Sequence, residues 1–176
     1  MRDRLYVHIC WTTRGRARVL NRRVAEFLSE FLPVVCRQER ARLLEIGIVA
    51  SHVHLLVRLH PTTSIPRLLQ RMKGGSSVIV NRADWTRTSL RWAKGYNVDT
   101  VSCRSLDSVR SYVINQHRRH PQELLEGWEY GRQFTDISRA AASSREQLAM
   151  AADLLASKER LRVRGLVGFE AASSLF

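Results

Sequence analysis

The sequence predicts an α+β fold: a four-stranded antiparallel sheet with helices packed on it, followed by a C-terminal helical appendage. Two observations predict this class. Short runs rich in β-branched and aromatic residues alternate with longer segments of helical periodicity, in the order strand, helix, strand, strand, helix, strand, helix. The 176 residues are 44% hydrophobic and 26% charged, so the chain can build a globular core and is unlike a disordered tail.

The first strand and the first helix are predicted from local patterns. Residues 6–12 (YVHICWT) form a short β-branched and aromatic run, which is typical of a strand. A helix is expected to begin at Asn21, because asparagine often caps helix N-termini. Its apolar positions recur at helical spacing: Ala25, Phe27, Leu28, Phe31 and Leu32. Pro33 lies inside this pattern and predicts a kink or a break.

The middle of the chain predicts two strands and a second helix. Residues 43–50 (LLEIGIVA) and 52–59 (HVHLLVRL) are expected to form strands that are joined tightly at Ser51. The second helix follows a proline-flanked loop, with Ser64 as its candidate N-cap. A Gly-Gly pair weakens the middle of this helix.

The last elements complete a recognisable order. Residues 96–103 are predicted to be the fourth strand, residues 106–120 a helix, and residues 143–161 a final amphipathic helix. Such an order of elements matches the ferredoxin-like split βαβ arrangement, in which the antiparallel four-stranded sheet has its helices on one face.

Composition limits where the protein works. No run approaches the roughly 18 apolar residues that a membrane span needs, and the N-terminus MRDRLYVHIC is unlike a signal peptide. The three cysteines, Cys10, Cys36 and Cys103, are widely spaced and odd in number, so they predict no disulfide framework. We therefore expect a protein of the reducing cytoplasm that does not insert into a membrane.

The distribution of charge predicts a polyanionic partner. The chain carries a net charge of +13. Residues 1–120 contain 22 basic and 8 acidic residues, whereas residues 121–176 contain 7 and 8. A GC-rich genome can also enrich a protein in arginine, but that enrichment would extend to the last 56 residues, which show no basic excess. A field of this sign attracts nucleic acid, because binding releases the counterions of the phosphates.

Five residues are candidate DNA contacts. Arg14, Arg16 and Arg18 lie in the loop after the first strand, where planar guanidinium groups suit phosphate oxygens. Lys73 and Ser77, in the segment KGGSS, could contact phosphates or bases. A solvated helix face explains those last two residues equally well.

The strand HVHLLVRL holds the first chemical signal. Alternation places Val53, Leu55 and Val57 on one face and His52 with His54 on the other, with about 7 Å between the two histidine positions along the strand. Two neutral imidazoles at this spacing can bind one divalent ion. Taken alone, the pair equally fits two histidines with no ligand.

The predicted helix SLDSVRSYVINQHRRH contains the second set of candidate functional residues. Tyr112 and Gln116 are four residues apart and so lie on one helix face. A tyrosine hydroxyl can attack a phosphate that a metal ion polarises. The amide oxygen of Gln116 is a hard ligand, which with two imidazoles suits Mg²⁺ or Mn²⁺, and zinc remains an alternative. A core tyrosine and a solvated glutamine would look the same. His120, near the end of this helix, is expected at the surface.

Together, these segments resemble one family. The His52-Val53-His54 motif and Tyr112 with Gln116 in YVINQ are similar to the motifs of single-tyrosine HUH transposases of small bacterial insertion sequences, the IS200-like transposases, and of their REP-associated relatives. Supporting matches are YVHICWTTRGR, LLQRMKGGSS and RWAKGYNVDTVS. The resemblance covers about residues 4–120 and predicts a catalytic domain over residues 1–120, followed by a helical extension over residues 121–176.

The resemblance implies a mechanism. Tyr112 would be the nucleophile, and His52, His54 and Gln116 would hold Mg²⁺ or Mn²⁺. The enzyme would cleave and rejoin single-stranded DNA with hairpins, either insertion-sequence ends or REP-like palindromes, through a 5′-phosphotyrosine. A homodimer is implied, in which the tyrosine helix can act on the partner's histidines. The REP-associated branch usually has Asn and Pro at the position of Gln116, so this chain looks closer to the insertion-sequence branch.

Two other functions remain open. A non-catalytic module that binds single-stranded nucleic acid, such as a domesticated relative, would explain the charge and the fold but not the set of histidines, tyrosine and glutamine. A zinc-dependent hydrolase has little support, because the chain has one HxH pair, no HExxH motif and no cysteine ligands.

Overall fold

The computed structural model describes residues 5–130 as an α+β fold, which confirms the predicted class. The four strands are β1 (Leu5–Thr12), β2 (Ala41–Val49), β3 (His52–Leu59) and β4 (Asn97–Val101). The helices are α1 (Arg22–Gln38), α2 (Ile65–Arg82), α3 (Leu106–Ile114) and α4 (Gln116–Arg119). The sheet order is β2-β3-β1-β4 with every pair antiparallel, as expected for the ferredoxin-like arrangement.

Some predictions lie beyond these residues. The amphipathic helix over residues 143–161 and the rest of the helical appendage fall outside the described residues, and the domain boundary at residue 120 stays a prediction. Within residues 5–130, no helix has both the length and the apolar character needed to cross a membrane.

Helix α1 begins where the sequence predicts. The Asn21 side chain accepts a hydrogen bond of 3.0 Å from the backbone N–H of Val24, so it is the N-cap. The predicted break at Pro33 does not occur, because the helix continues to Gln38. Proline in a helix costs about 3 kcal/mol. The apolar face of α1 around Pro33 is completely buried, and each large side chain there stabilises the fold by about 1.5–3 kcal/mol. The burial of several such side chains therefore outweighs the cost of the proline.

One face of the sheet is the main apolar core. Val7, Ile9 and Trp11 of β1 are at most 2% exposed, as are Val53 and Leu55 of β3 on the same face. Helix α1 packs along β2 and against α2. The Trp11 ring meets Trp92 edge-on, and the Trp92 indole N–H donates to Ser76 of α2. These contacts place α1 and α2 on this face.

The other face is covered as well, so the prediction of helices on one face only is wrong. Val113 of α3 packs with Leu56 of β3 and Val101 of β4 in a small buried cluster, and Val109 and Tyr112 lie against it. The physical reason is that this face carries apolar side chains among its polar ones, and the apolar stripe of α3 is buried only by packing on them.

The helix predicted over residues 106–120 is also interrupted. Helix α3 ends at Ile114, and the separate short helix α4 begins at Gln116. Between them, the Asn115 side chain donates a hydrogen bond of 2.8 Å to the Ser111 carbonyl. The Ser111 carbonyl also accepts from the Asn115 N–H at 3.1 Å, whereas the next carbonyl, that of Tyr112, accepts from the Gln116 side chain at 2.9 Å, so local side-chain hydrogen bonds accompany the break.

Gly47 of β2 permits α3 to lie close to the sheet. A Cβ atom at this position would overlap the Val113 carbonyl oxygen and touch the Gln116 side chain. Gly74 of α2, in contrast, has open space where a Cβ would stand.

We expect Gly47→Ala to lower the free energy of unfolding by about 1–3 kcal/mol, the usual cost of overpacking a tight contact. Urea denaturation measures it. Gly74→Ala is the matched control and should be neutral or stabilising by up to about 1 kcal/mol, because alanine favours a helix. Equal stability of the Gly47→Ala protein and the wild type would contradict a tight contact between α3 and β2.

Candidate active site

His52 and His54 of β3 lie side by side beneath α3 and α4. They are 2% and 6% exposed, and their ring centroids are 5.1 Å apart. The antiparallel register sets His54 between Cys10 of β1 and Gly47 of β2. Because Gly47 has no side chain, the backbone of α3 can approach the sheet directly beside His54.

Tyr112 of α3 stands over this histidine pair. Its ring meets the rings of His54 and His8 edge-on, with 5.6 Å between centroids in both contacts. The Arg119 guanidinium carbon lies 4.7 Å from the centroid of the Tyr112 ring. Within one chain, therefore, the tyrosine is next to its own histidines.

Gln116 joins the same cluster although it belongs to α4. It is 1% exposed, and its Nε2 donates a hydrogen bond of 2.9 Å to the Tyr112 carbonyl. Its Oε1 is buried, and no donor among residues 5–130 reaches it. A buried carbonyl oxygen without a donor costs free energy unless another positive group occupies that position. A cation bound by His52 and His54 would supply that positive group.

The available donors fit a hard divalent ion. Two imidazoles and an amide oxygen match the nitrogen and oxygen ligands that Mg²⁺ and Mn²⁺ accept. Within the described part of the chain, no group of three or more His, Cys, Asp or Glu side chains could hold a metal ion. Among these residues, Gln116 is the amide that could add an oxygen ligand to the two imidazoles, and the described part of the chain offers no structural zinc set.

Burial keeps the histidines neutral. It lowers the pKa of His54 to about 3, and the positive charges of His52, His8, His120 and Arg16 act in the same direction. Burial also lowers the pKa of His52, and the carboxylate of Glu123 only partly opposes it. A neutral imidazole has a free lone pair, so both rings can serve as ligands at neutral pH.

Three residues extend the cluster beyond the predicted set. His8 lies 2.9 Å from His54, Nε2 to Nδ1, and the rings stack. The His120 ring lies edge-on at 4.6 Å from His52, so this half-buried residue also contacts the cluster. Glu123 is buried with its Oε2 at 3.4 Å from His52 Nδ1. Of these, alternation along β1 puts His8 on the face of Cys10, whereas no local pattern places the other two.

The candidate DNA contacts divide into two groups. Arg14, Arg16 and Arg18 are exposed in the loop after β1, and the charge of Arg16 acts on the site histidines. Lys73 donates hydrogen bonds to the Lys94 and Gly95 carbonyls, and the Ser77 hydroxyl donates to the Gly74 carbonyl. These two residues line a groove of about 430 Å³ on α2, across the sheet from Tyr112.

A second cavity, also of about 430 Å³, opens beside Tyr112. It is polar and basic, and it is lined by Ser108, Ser111, Tyr112, Asn115, Arg118 and Arg119. Two guanidinium groups and several small polar side chains are suited to the phosphate and sugar of a nucleotide.

Comparison with known proteins assigns the chain to the DNA transposases. The model of one family, described as "Transposase IS200 like", matches residues 1–116. The chain therefore belongs to the IS200-like transposase family.

Individual relatives agree. The ISDra2 transposase TnpA of Deinococcus radiodurans is 26% identical over 121 residues, covering 64% of this chain and 84% of the relative. The transposase of insertion sequence IS200 from Salmonella typhimurium is 25% identical over 114 residues, covering 62% and 74%.

Solved structures agree with the fold. A crystal structure from Deinococcus radiodurans R1, described as a transposase, is 28% identical with a TM-score of 0.52, covering 66% of this chain and 94% of that one. A REP-associated tyrosine transposase bound to a REP hairpin has a TM-score of 0.54, 11% identity, and coverage of 68% and 72%. At that identity, the second likeness shows the fold alone.

The buried histidines predict a pH dependence of stability. In the folded chain the pKa of His54 is lowered from 6.5 to about 3, so between these values the unfolded chain binds more protons. The stability is complete above the unfolded pKa, and we expect it to fall as the pH drops below about 6.5. Urea denaturation from neutral pH to about pH 4 measures it. His54→Gln should weaken the dependence, and an identical slope in both proteins would contradict the assignment.

Proposed function

We propose that this transposase cleaves and rejoins single-stranded DNA with Tyr112 as the nucleophile. His52, His54 and Gln116 would hold Mg²⁺ or Mn²⁺. The observation that carries this proposal is the buried, unpartnered Oε1 of Gln116, whose side chain lies against Gly47, the strand partner of His54, while the Tyr112 ring packs on His54 itself. An amide oxygen in that position has a clear use as a cation ligand and none in packing.

The chemistry is a phosphoryl transfer. The Tyr112 oxygen gives up its proton and forms a bond to the scissile phosphorus, while the bond from phosphorus to the 3′ oxygen breaks. The 3′ oxygen leaves with a proton as a hydroxyl, and the 5′ end stays attached as a phosphotyrosine. Attack by another 3′-hydroxyl reverses both bond changes and frees the tyrosine. The divalent ion, when bound, supplies charge to polarise the phosphate.

Residues around Tyr112 can assist this step. A guanidinium group over a phenol ring favours a build-up of negative charge on the phenol oxygen. Arg119 is so placed, and Arg118 lines the same cavity. Both can also bind the phosphate that Tyr112 attacks, since arginine forms paired hydrogen bonds to phosphate oxygens. The cavity would then hold the nucleotide that carries the scissile bond.

The proposed substrate is single-stranded DNA with hairpins. The excess of basic residues over positions 1–120 supports it, as does the exposed arginine loop near the site histidines. The hairpin is suggested by the REP-associated relative that was solved with one. Insertion-sequence ends and REP-like palindromes are both proposed substrates. Lys73 and Ser77 are proposed contacts to a part of the DNA away from the scissile phosphate.

A homodimer in the cytoplasm completes the proposal. Symmetric two-fold assemblies are the commonest oligomers, and a dimer would hold two DNA ends at once. Because Tyr112 lies beside the histidines of its own chain, we propose that each subunit forms its site in cis. The trans arrangement that the family resemblance implies is the alternative.

We expect Tyr112→Phe to bind a hairpin oligonucleotide with a Kd within about twofold of wild type, because the basic surface that gives affinity is unchanged. It should form no covalent adduct. A labelled oligonucleotide with Mn²⁺, analysed on a denaturing gel, measures the adduct. Tyr96→Phe is the control for the loss of a tyrosine hydroxyl: this exposed tyrosine lies in the α2 groove, away from the site histidines, and the variant should still form the adduct. An adduct with Tyr112→Phe would disprove the assignment. Tight binding without any adduct in the wild type would favour the non-catalytic module.

A mixing experiment tests the cis arrangement. One protein carries His52→Ala with His54→Ala, and the other carries Tyr112→Phe. If each tyrosine acts with the histidines of its own chain, every site in a mixed dimer lacks one half, and we expect no recovery of cleavage. Circular dichroism must show that the double variant is folded, since both histidines are buried. Cleavage that returns after subunit exchange would establish trans catalysis.

A further inference from the structure

We propose that Glu123 is a positioning residue for the metal site: together with Ser51, it fixes the orientation and the tautomer of His52. The inference rests on the proposed function of the same site. Glu123 lies seven residues beyond the part of the chain that the family model matches, so it is a contribution of this chain's own C-terminal segment.

The three side chains form a closed and buried triangle. The Ser51 hydroxyl donates a hydrogen bond of 2.5 Å to Glu123 Oε2, and its oxygen lies 3.0 Å from His52 Nδ1. Glu123 Oε2 is itself 3.4 Å from the same nitrogen. Ser51, His52 and Glu123 are 0%, 2% and 7% exposed, so water contributes little to these contacts.

The backbone holds the glutamate in place. The N–H of Ala50 donates to the Glu123 carbonyl at 2.9 Å, and the N–H of Glu123 donates to the His120 carbonyl at 2.9 Å. Leu125, two residues on, is 4% exposed. The segment after α4 therefore lies across the turn between β2 and β3. A carboxylate buried in this way is costly unless it is hydrogen-bonded, and Ser51 and His52 are its partners.

This arrangement has a chemical consequence. A neutral imidazole carries its proton on one nitrogen only. An acceptor pair at Nδ1 favours the proton there, which leaves the lone pair of His52 Nε2 free for a cation. Metal-binding histidines commonly donate their second N–H to a carboxylate or a neighbouring oxygen for this reason. Without Glu123, the Ser51 hydroxyl would be free to donate to Nδ1 instead of accepting from it, so His52 would lose its fixed tautomer.

A purely structural role for Glu123 is the competing explanation, since it also ties the β2–β3 turn to the segment after α4. The two explanations differ in what they predict for a folded variant. A structural tie changes the unfolding free energy alone. A positioning role changes the tautomer of His52 in the metal-free protein and the affinity for a cation.

The experiment compares full-length Glu123→Ala and Glu123→Gln with wild type, and uses Glu126→Gln as the matched control. Glu126 lies in the same segment and is exposed. Isothermal titration calorimetry measures Mn²⁺ binding without DNA. We expect Glu123→Ala to weaken it about 10- to 100-fold, the usual effect of losing such a partner. Glu123→Gln, which keeps one acceptor oxygen for Ser51, should lose less, and Glu126→Gln should match wild type.

A second readout separates this inference from the proposed function. Long-range ¹H–¹⁵N spectra of the imidazoles in the metal-free protein at neutral pH should show His52 in the Nδ1–H form, and a mixture of tautomers in Glu123→Ala. If wild type and Glu123→Ala give the same tautomer and bind Mn²⁺ equally, the positioning role is overturned. If wild type binds no Mn²⁺ but the tautomer still depends on Glu123, the metal site fails while the positioning of His52 stands.

Discussion

The close approach of α3 to β2 at Gly47 is the constraint on which the candidate site depends. With no side chain at that position, the carbonyl of Val113 lies directly against the strand. Tyr112 precedes Val113 and Gln116 follows it by three residues, so the approach brings both to His54. An ion pair between the partly exposed Arg110 of α3 and the buried Glu45 of β2, with 3.7 Å between Nε and Oε2, links the helix to the same strand. The packing of Val113 against Leu56 and Val101 also holds α3 on the sheet.

The site is a polar layer in a space where apolar side chains would pack more simply. Two imidazoles, an amide and a carboxylate lie between the sheet and the segment from α3 onward, each under 10% exposed. Buried polar groups are kept at a cost in stability, and their hydrogen bonds only partly offset it. Ser51 satisfies the carboxylate and the Tyr112 carbonyl satisfies the amide nitrogen, whereas the amide oxygen is left over. The proposed cation would give this oxygen its missing partner.

Local patterns were enough to predict much of this molecule. Alternation along β3 separated the two histidines from the apolar face, and the tight junction at Ser51 fixed the central strand pair. The N-cap at Asn21 was predicted from its residue type and confirmed. The features that were missed depend on competition or on distant contacts. The break at Asn115 involves the Gln116 side chain, which donates a hydrogen bond to the Tyr112 carbonyl. Ser51 and Glu123 are 72 residues apart, and no periodic pattern in the sequence indicates that they are in contact.

The long separation in sequence between the parts of the site has a consequence for how the protein is made. Translation delivers the residues in chain order, and N-terminal segments begin to fold first. His52 is synthesised 60 residues before Tyr112 and 71 before Glu123. A nascent chain can pair β1, β2 and β3 while the layer above them is still missing, since closing long loops is a late step in folding. Every ribosome-bound fragment that stops short of α3 thus has its histidine face uncovered, and Tyr112 can join that face only after α3 has emerged.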